Sequence, residues 1–177
     1  MRVVLITICL SFITYGAVSA TVVVPADLSE LSHDAVAIAR GHIVAVEAQW
    51  KDDRRGIESL ITLETETYLK GSLGNVVQFR VPGGSLGRFR SIVVGAPQFT
   101  VGQRVILFLG SRGPTIPYVL GLSQGVYRIS QTPKGDWMVT PPMIAQAGDG
   151  PIVRGSLAPS SLGDFERQVR TLVGTGR

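Results

Sequence analysis

The residues of this chain that could do chemistry are few, and their spacing decides what each set can do. Gly83-Gly84-Ser85-Leu86-Gly87 matches the pattern G-x-S-x-G. In hydrolases that pattern puts a nucleophilic serine on a strand-to-helix turn and draws its base from a histidine later in the chain. Here the last histidine is His42, upstream, and Arg88-Phe-Arg-Ser-Ile-Val-Val reads as a strand. The expectation is a glycine-permitted loop between two strands, with no catalytic residue in it. His33 and His42 are the only histidines. Even with Asp34 and Glu47 they fall short of the three or four well-spaced ligands that zinc requires, so no metal is expected. Glu64 and Glu66 lie two apart on a strand and point the same way, the arrangement from which a carboxylate pair could work across a sugar. No acidic partner for them is identifiable, and a solvated sheet face is expected. The remaining set is basic: Arg80, Arg88 and Arg90 flank the glycine-rich loop, with Arg104 nearby and Tyr68 and Phe89 as aromatic neighbours. Guanidinium groups interleaved with rings suit an acidic protein, a polyanionic glycan or single-stranded nucleic acid. Alternatively they solubilise and protect an edge strand.

These side chains need a scaffold, and the hydropathy pattern predicts one made of strands. Asp27 with Glu30 three residues on marks the start of a short helix over 27–33. Ala35 to Trp50 reads as one long strand, with Val36, Ile38, Val44, Val46, Ala48 and Trp50 on one face and Gly41 as a bulge or bend at its centre. Such a bend lets one strand serve both halves of a small barrel. Lys51 to Gly56 is a charged turn. Ile57 to Lys70 alternates, with Ile61 and Leu63 inward and Thr62, Glu64 and Glu66 outward. Val76 to Pro82 follows, with Val77, Phe79 and Val81 inward. Arg88 to Val94 is expected as a fourth, edge strand. Val105 to Leu109 is wholly apolar and is expected at the centre, covered on both faces. Three short strands (118–122, 126–130, 137–140) come next, the last two joined by a Thr132–Asp136 turn. Residues 141–159 are Gly/Pro/Ala-rich and irregular. Leu162, Phe165, Val169 and Leu172 recur at helical spacing, and Gly174 is expected to end that helix.

Composition sets the outer bounds. The chain has 177 residues, 45% of them apolar, and a formal net charge of +4. A disordered chain is thereby excluded. The single cysteine excludes an internal disulfide. Met1-Arg2, an apolar run from Val3 to Tyr15 and small residues up to Ala20 have the order of a cleavable secretory leader, too short for the about 20 residues a membrane span needs. Cleavage after Ala20 removes Cys9 and Arg2 and leaves Thr21 first. The expected organisation is a leader over 1–20 and one domain over 21–177, with a core at 27–110 and an extension at 111–177. The expected location is secreted or periplasmic, with no stable membrane span after cleavage. The modest positive charge does not by itself argue for nucleic acid.

Several segments together carry a resemblance. They are Ala35-Val-Ala-Ile-Ala-Arg-Gly-His-Ile-Val-Ala-Val-Glu47, the turn Tyr68-Leu-Lys-Gly71, Val76-Val-Gln-Phe-Arg-Val-Pro-Gly-Gly84, and Phe99-Thr-Val-Gly-Gln-Arg-Val-Ile-Leu-Phe-Leu109. Over about 27–110 the chain resembles a group of secreted bacterial proteins with a five-stranded OB-type barrel, which are similar in turn to the netrin-like module of tissue inhibitors of metalloproteinases. The resemblance implies a mainly β fold: a five-stranded OB-like barrel with extra C-terminal hairpin strands, a short N-terminal helix and a C-terminal helix. It does not carry the inhibitory chemistry across, because those inhibitors chelate zinc through an N-terminal cysteine and Thr21 stands here. The expected function is a non-enzymatic, cofactor-free interaction module, with an exported protease or envelope component as partner and no nucleic acid. The alternatives are a hydrolase using Ser85 or the Glu64/Glu66 pair, and a purely structural envelope protein.

Overall fold

The computed structural model describes residues 26–113, 116–144, 153–154 and 158–175. The expected leader (1–20) and most of the irregular stretch 141–159 lie outside the described residues. A helix, α1 (Leu28–Asp34), leads into β1 (Ala37–Trp50), β2 (Ile57–Lys70) and β3 (Val76–Pro82). A small hairpin follows, β4 (Gly84–Leu86) and β5 (Phe89–Ser91), then β6 (Arg104–Gly110) and β7 (Tyr118–Val119). The chain ends with β8 (Val126–Gln131), β9 (Trp137–Thr140), the short pair β10 (Met143–Ile144) and β11 (Val153–Arg154), β12 (Ser160–Ser161) and α2 (Leu162–Thr175). The protein is mainly β, and none of its described helices is long and apolar enough to cross a membrane.

Five strands form a ring. Its order is β1-β2-β3-β7-β6, and β6 pairs back onto β1. Every contact in it is antiparallel except β3 with β7, which is parallel and rests on one register pair, Arg80 with Tyr118. β8, β9 and β12 continue the sheet outward from β6. The fourth, edge strand expected at Arg88–Val94 forms only over Phe89–Ser91 and does not join the main sheet. That segment instead folds as β5 of the β4–β5 hairpin, which pairs only with itself, and β7 takes the open place in the ring.

The apolar pattern of β6 explains why two layers hold. Val105, Leu107 and Leu109 point into the ring with Ile43, Ile61, Leu63, Val77 and Phe79. Ile106 and Phe108 point the other way, against Tyr127, Val139, Phe165 and Val169 beneath the two helices. Successive strand residues face opposite sides, so a strand covered on both must be apolar throughout. Phe99 closes one end of the ring core, edge-on to Phe79 at 5.4 Å. In the second layer the rings of Phe108, Tyr127 and Phe165 stack in sequence, with centroids 5.4 and 4.7 Å apart. Burial there, reinforced by the charge of Asp27, pushes the Tyr127 phenol up to about 12.

The ends of both helices have visible causes. Asp27 occupies the N-cap position of α1, but its side chain makes no cap bond. The other end is tied to the sheet, because Lys70 Nζ donates to the carbonyls of Ser32 and His33 at 2.9 and 2.7 Å. At α2 the Ser161 hydroxyl accepts the Asp164 N–H at 3.1 Å and donates to the Asp164 carboxylate at 2.7 Å. That hydrogen bond, with Arg167 beside it, holds the Asp164 carboxyl below the usual range. Gly174 does not end α2. The helix runs to Thr175, whose hydroxyl donates to the Thr171 carbonyl at 2.8 Å.

The face expected for β1 holds only in part. Ala37, Ile38 and Ala39 are all buried, because the ring core covers one side and the helix layer the other. Val36 precedes the strand and is exposed. The register shifts between Ile43 and Ala45, and beyond it β1 runs past the ring, leaving Val44, Val46 and Trp50 exposed. Gly41 sits where β1 crosses closest to β2. A Cβ there would overlap the carbonyl oxygen of Glu64 and lie 2.9 Å from its carbonyl carbon.

Candidate functional site

β1 and β2 extend together beyond the ring, and the β4–β5 hairpin folds over their inner face. Gly84 makes this possible. Its φ of +148 suits glycine, and a Cβ would lie 2.7 Å from Ser59 Oγ and 3.3 Å from Ile57. The Ser59 hydroxyl donates to the Gly83 carbonyl at 2.8 Å and the Gly83 N–H to the Ile57 carbonyl at 3.0 Å, so the base of the hairpin is fixed. Its far end is fixed by rings: Phe89 meets Trp50 edge-on, with centroids 5.3 Å apart.

Between hairpin and sheet lies an open cleft of about 390 Å³. Val46, Ala48, Ile61, Val81 and Phe99 supply apolar floor, and Ser85, Arg90 and the segment Ser91–Val93 form part of the wall. The rim is apolar and uncovered: Ile92 is 73% exposed and Val94 68%, with Phe89 and Trp50 also exposed. Arg88 lies over the Phe89 ring at 5.0 Å. Among the described residues, Arg90 makes no ion pair, and neither do Lys51, Arg54 and Arg55 in the adjoining turn, where the Asp53 carboxylate accepts the Arg55 N–H. An aromatic and basic ledge thus borders a cleft with an apolar floor and partly polar walls, the combination that recognition surfaces favour.

The sequence-derived patch is therefore divided. Arg88, Phe89 and Arg90 are together on the hairpin. Arg80 alternates with the inward Phe79 and Val81, so it lies on the opposite face of β3 from the cleft, and it is engaged, 3.3 Å from the Glu58 carboxylate and 3.7 Å from Asp52. Glu58 is buried and also accepts from Gln49 at 2.9 Å. Tyr68 and Arg104 are elsewhere. Tyr68 lies eleven residues beyond Ile57 on β2, about 36 Å along the strand path, and its hydroxyl donates to the Gly74 carbonyl at 2.6 Å. Arg104 pairs with Glu66 at 3.3 Å and lies 4.8 Å over the Trp137 ring. A measurable consequence follows for Arg80. Arg80→Ala leaves the buried Glu58 carboxylate with one neutral donor and is expected to cost about 2 kcal/mol in urea unfolding at neutral pH. Adding Glu58→Gln should recover at least half of that loss.

The other candidates gain partners rather than reactants. Ser85 is exposed on β4, opposite Arg90, and a second strand follows it, so the helix that an elbow serine needs is replaced by a hairpin. His42 is held elsewhere, 3.5 Å from Glu64 and 3.8 Å from Glu66. Glu66 also pairs with Arg40 at 3.3 Å, and Arg40 reaches Glu166 of α2. Arg170 then lies 3.6 Å from Glu166. This chain of charges joins β1, β2, β6 and α2, and sequence reasoning missed it because its members are far apart in the chain. Among the described residues, no three His, Cys, Asp or Glu side chains are grouped to hold a metal ion. Comparison of the chain with protein-family models, with curated proteins and with solved structures finds no match.

Proposed function

We propose that this chain is an exported, non-enzymatic module that binds another protein through the ledge formed by Trp50, Arg88, Phe89 and Arg90. One observation carries the reading: uncovered aromatic and aliphatic side chains, and guanidinium groups with no ion pair among the described residues, border one open cleft. Desolvating such a surface alone is unfavourable for the arginines, and a partner with carboxylates beside apolar residues satisfies both requirements. An exported protease or an envelope component is the class of partner that fits, given the leader-like order of residues 1–20. The ring supports an OB-type description and, with it, the resemblance to the netrin-like module. Its strand order is β1-β2-β3-β7-β6, closing on β1, with one parallel contact between the third and the last strand in chain order. Fold kinship of this kind leaves the activity to be argued from the site.

The test is quantitative capture from envelope and culture fractions of the producing cells. The exported form is compared with Arg88→Glu/Arg90→Glu. The expected result is one or a few proteins enriched by wild type and recovered at least tenfold less by the double variant, whose thermal unfolding is unchanged. Equal recovery of every captured protein would remove the ledge from the account.

A further inference from the structure

The geometry points to strand addition: the outer edge of β1 from Ala45 to Trp50 receives an extended segment of the partner protein as an antiparallel strand. That segment carries acidic residues first and an alternating apolar run after them. The inference rests on the ledge reading above and names the partner's chemistry.

The backbone supplies the first argument. The Lys51 N–H donates to the Gly56 carbonyl at 2.9 Å, and the Ile57 carbonyl faces Gly83 rather than β1. Bonded and non-bonded pairs alternate along an antiparallel ladder. The bonded pairs of β1 with β2 are therefore Gln49 with Glu58, Glu47 with Leu60 and Ala45 with Thr62. Val46, Ala48 and Trp50 turn their N–H and C=O groups outward. No described strand meets them there. Pairing of β1 with β6 stops at His42 opposite Arg104, and the last cover is Gly102–Gln103 against Ile43. An added strand would find up to about six backbone partners along this edge.

The edge is also unprotected. Exposed edges are normally blunted by lysine, proline, bulges or covering elements. Between Ala45 and Trp50 there is no lysine, proline or register shift, and Glu47 is the one charge. The far edge of the sheet, at β9, is by contrast covered by β12.

Charge and side-chain direction select the occupant. Val46 and Ala48 face the cleft and Trp50 contacts Phe89. Residues set opposite them would extend the apolar floor and need to be apolar at alternate positions. Lys51, Arg54, Arg55, Arg88 and Arg90, none of them in an ion pair with a described residue, gather at the Trp50 end and outnumber Asp52 and Asp53 of the same turn. An antiparallel strand enters at that end, so its N-terminal residues meet those cations, and acidic residues there are complementary. A second copy of this chain would bring Glu47 and further basic residues instead.

The experiment is fluorescence polarisation with the full exported chain and a labelled peptide in which three acidic residues precede valine alternating with glutamine. Saturable binding is expected. It should weaken at least tenfold when the acidic residues are moved to the C-terminus or replaced by lysine. N-methylation of the backbone at alternate positions in one phase should weaken it at least tenfold, and in the other phase leave it unchanged. Ala48→Pro removes one outward N–H, keeps the bonds to β2, and should abolish binding without changing the circular dichroism spectrum. Absence of saturable binding, or equal binding of all N-methylated peptides, would overturn strand addition. If charge reversal at Arg88 and Arg90 still weakens binding in the second case, the ledge survives and only the strand geometry falls. A dimer of the free chain that Ala48→Pro dissolves, or displacement of the peptide by phosphatidylglycerol vesicles, would overturn the choice of occupant.

Discussion

Gly41→Ala is expected to destabilise the protein by at least about 4 kcal/mol, the range of exceptional single substitutions. The added methyl has no side chain to push aside. It meets backbone on β2, overlapping the Glu64 carbonyl oxygen and lying 3.0 Å from Thr65 Cα. Relief requires parting β1 from β2 at the point where β1 also pairs with β6, Gly41 opposite Val105. Both neighbours of the strand are thus affected by one methyl group. Gly56→Ala is the matched control, because its Cβ would meet only the flexible Lys51 side chain at 3.5 Å. Urea unfolding of the two variants should show a large loss for the first and less than about 1 kcal/mol for the second. A Gly41→Ala protein within about 1 kcal/mol of wild type would contradict the close crossing on which the ring depends.

The second large effect is expected at Phe108. Its side chain is fully buried between β6 and the helix layer and starts the stack through Tyr127 to Phe165 on α2. Phe108→Ala removes the ring and leaves a cavity that the sheet cannot collapse to fill, at a cost of about 4 kcal/mol. A single domain typically has about 5–15 kcal/mol of stability in all. The loss should be local first: hydrogen exchange of α2 amides is expected to accelerate more than exchange in β2 and β3. Phe79→Ala, inside the ring, should cost a similar amount and show the reverse order. Identical exchange patterns for the two variants would argue that the two apolar layers are one cooperative unit.

How much of this was legible beforehand depended on locality. The bounds of β2 and β3 follow from alternation over Ile57–Lys70 and Val76–Pro82, and the central place of β6 follows from an unbroken apolar run. Gly41 was recognisable because glycine inside a strand has few other uses. The exposure of Val44, Val46 and Trp50 was not. A register shift near Val44 changes which groups face outward, and nothing in the composition says that the strand outruns the ring. A strand was expected over 118–122 and β7 forms only at Tyr118–Val119; its place in the ring was not legible, because it is set by contacts with β3 and β6. The hairpin at 84–91 was read as loop and strand, since its turn lacks a strong dipeptide signal. At the site, the trio Arg88, Phe89 and Arg90 was legible because it is contiguous. Trp50 was not assigned to it, since its approach to Phe89 depends on the hairpin folding over the sheet. Tyr68 and Arg104 were misplaced by the same lack of long-range information.

The most direct test of the central claim is positional photo-crosslinking in the producing cells. A photoreactive residue replaces Ser85, on the hairpin beside Arg90, or Lys134, in the turn between β8 and β9. The account predicts a discrete protein adduct from position 85 that weakens at least tenfold in the Arg88→Glu/Arg90→Glu background, and none of that mass from position 134. Equal adducts from both positions, or an adduct at 85 indifferent to the charge reversal, would contradict it.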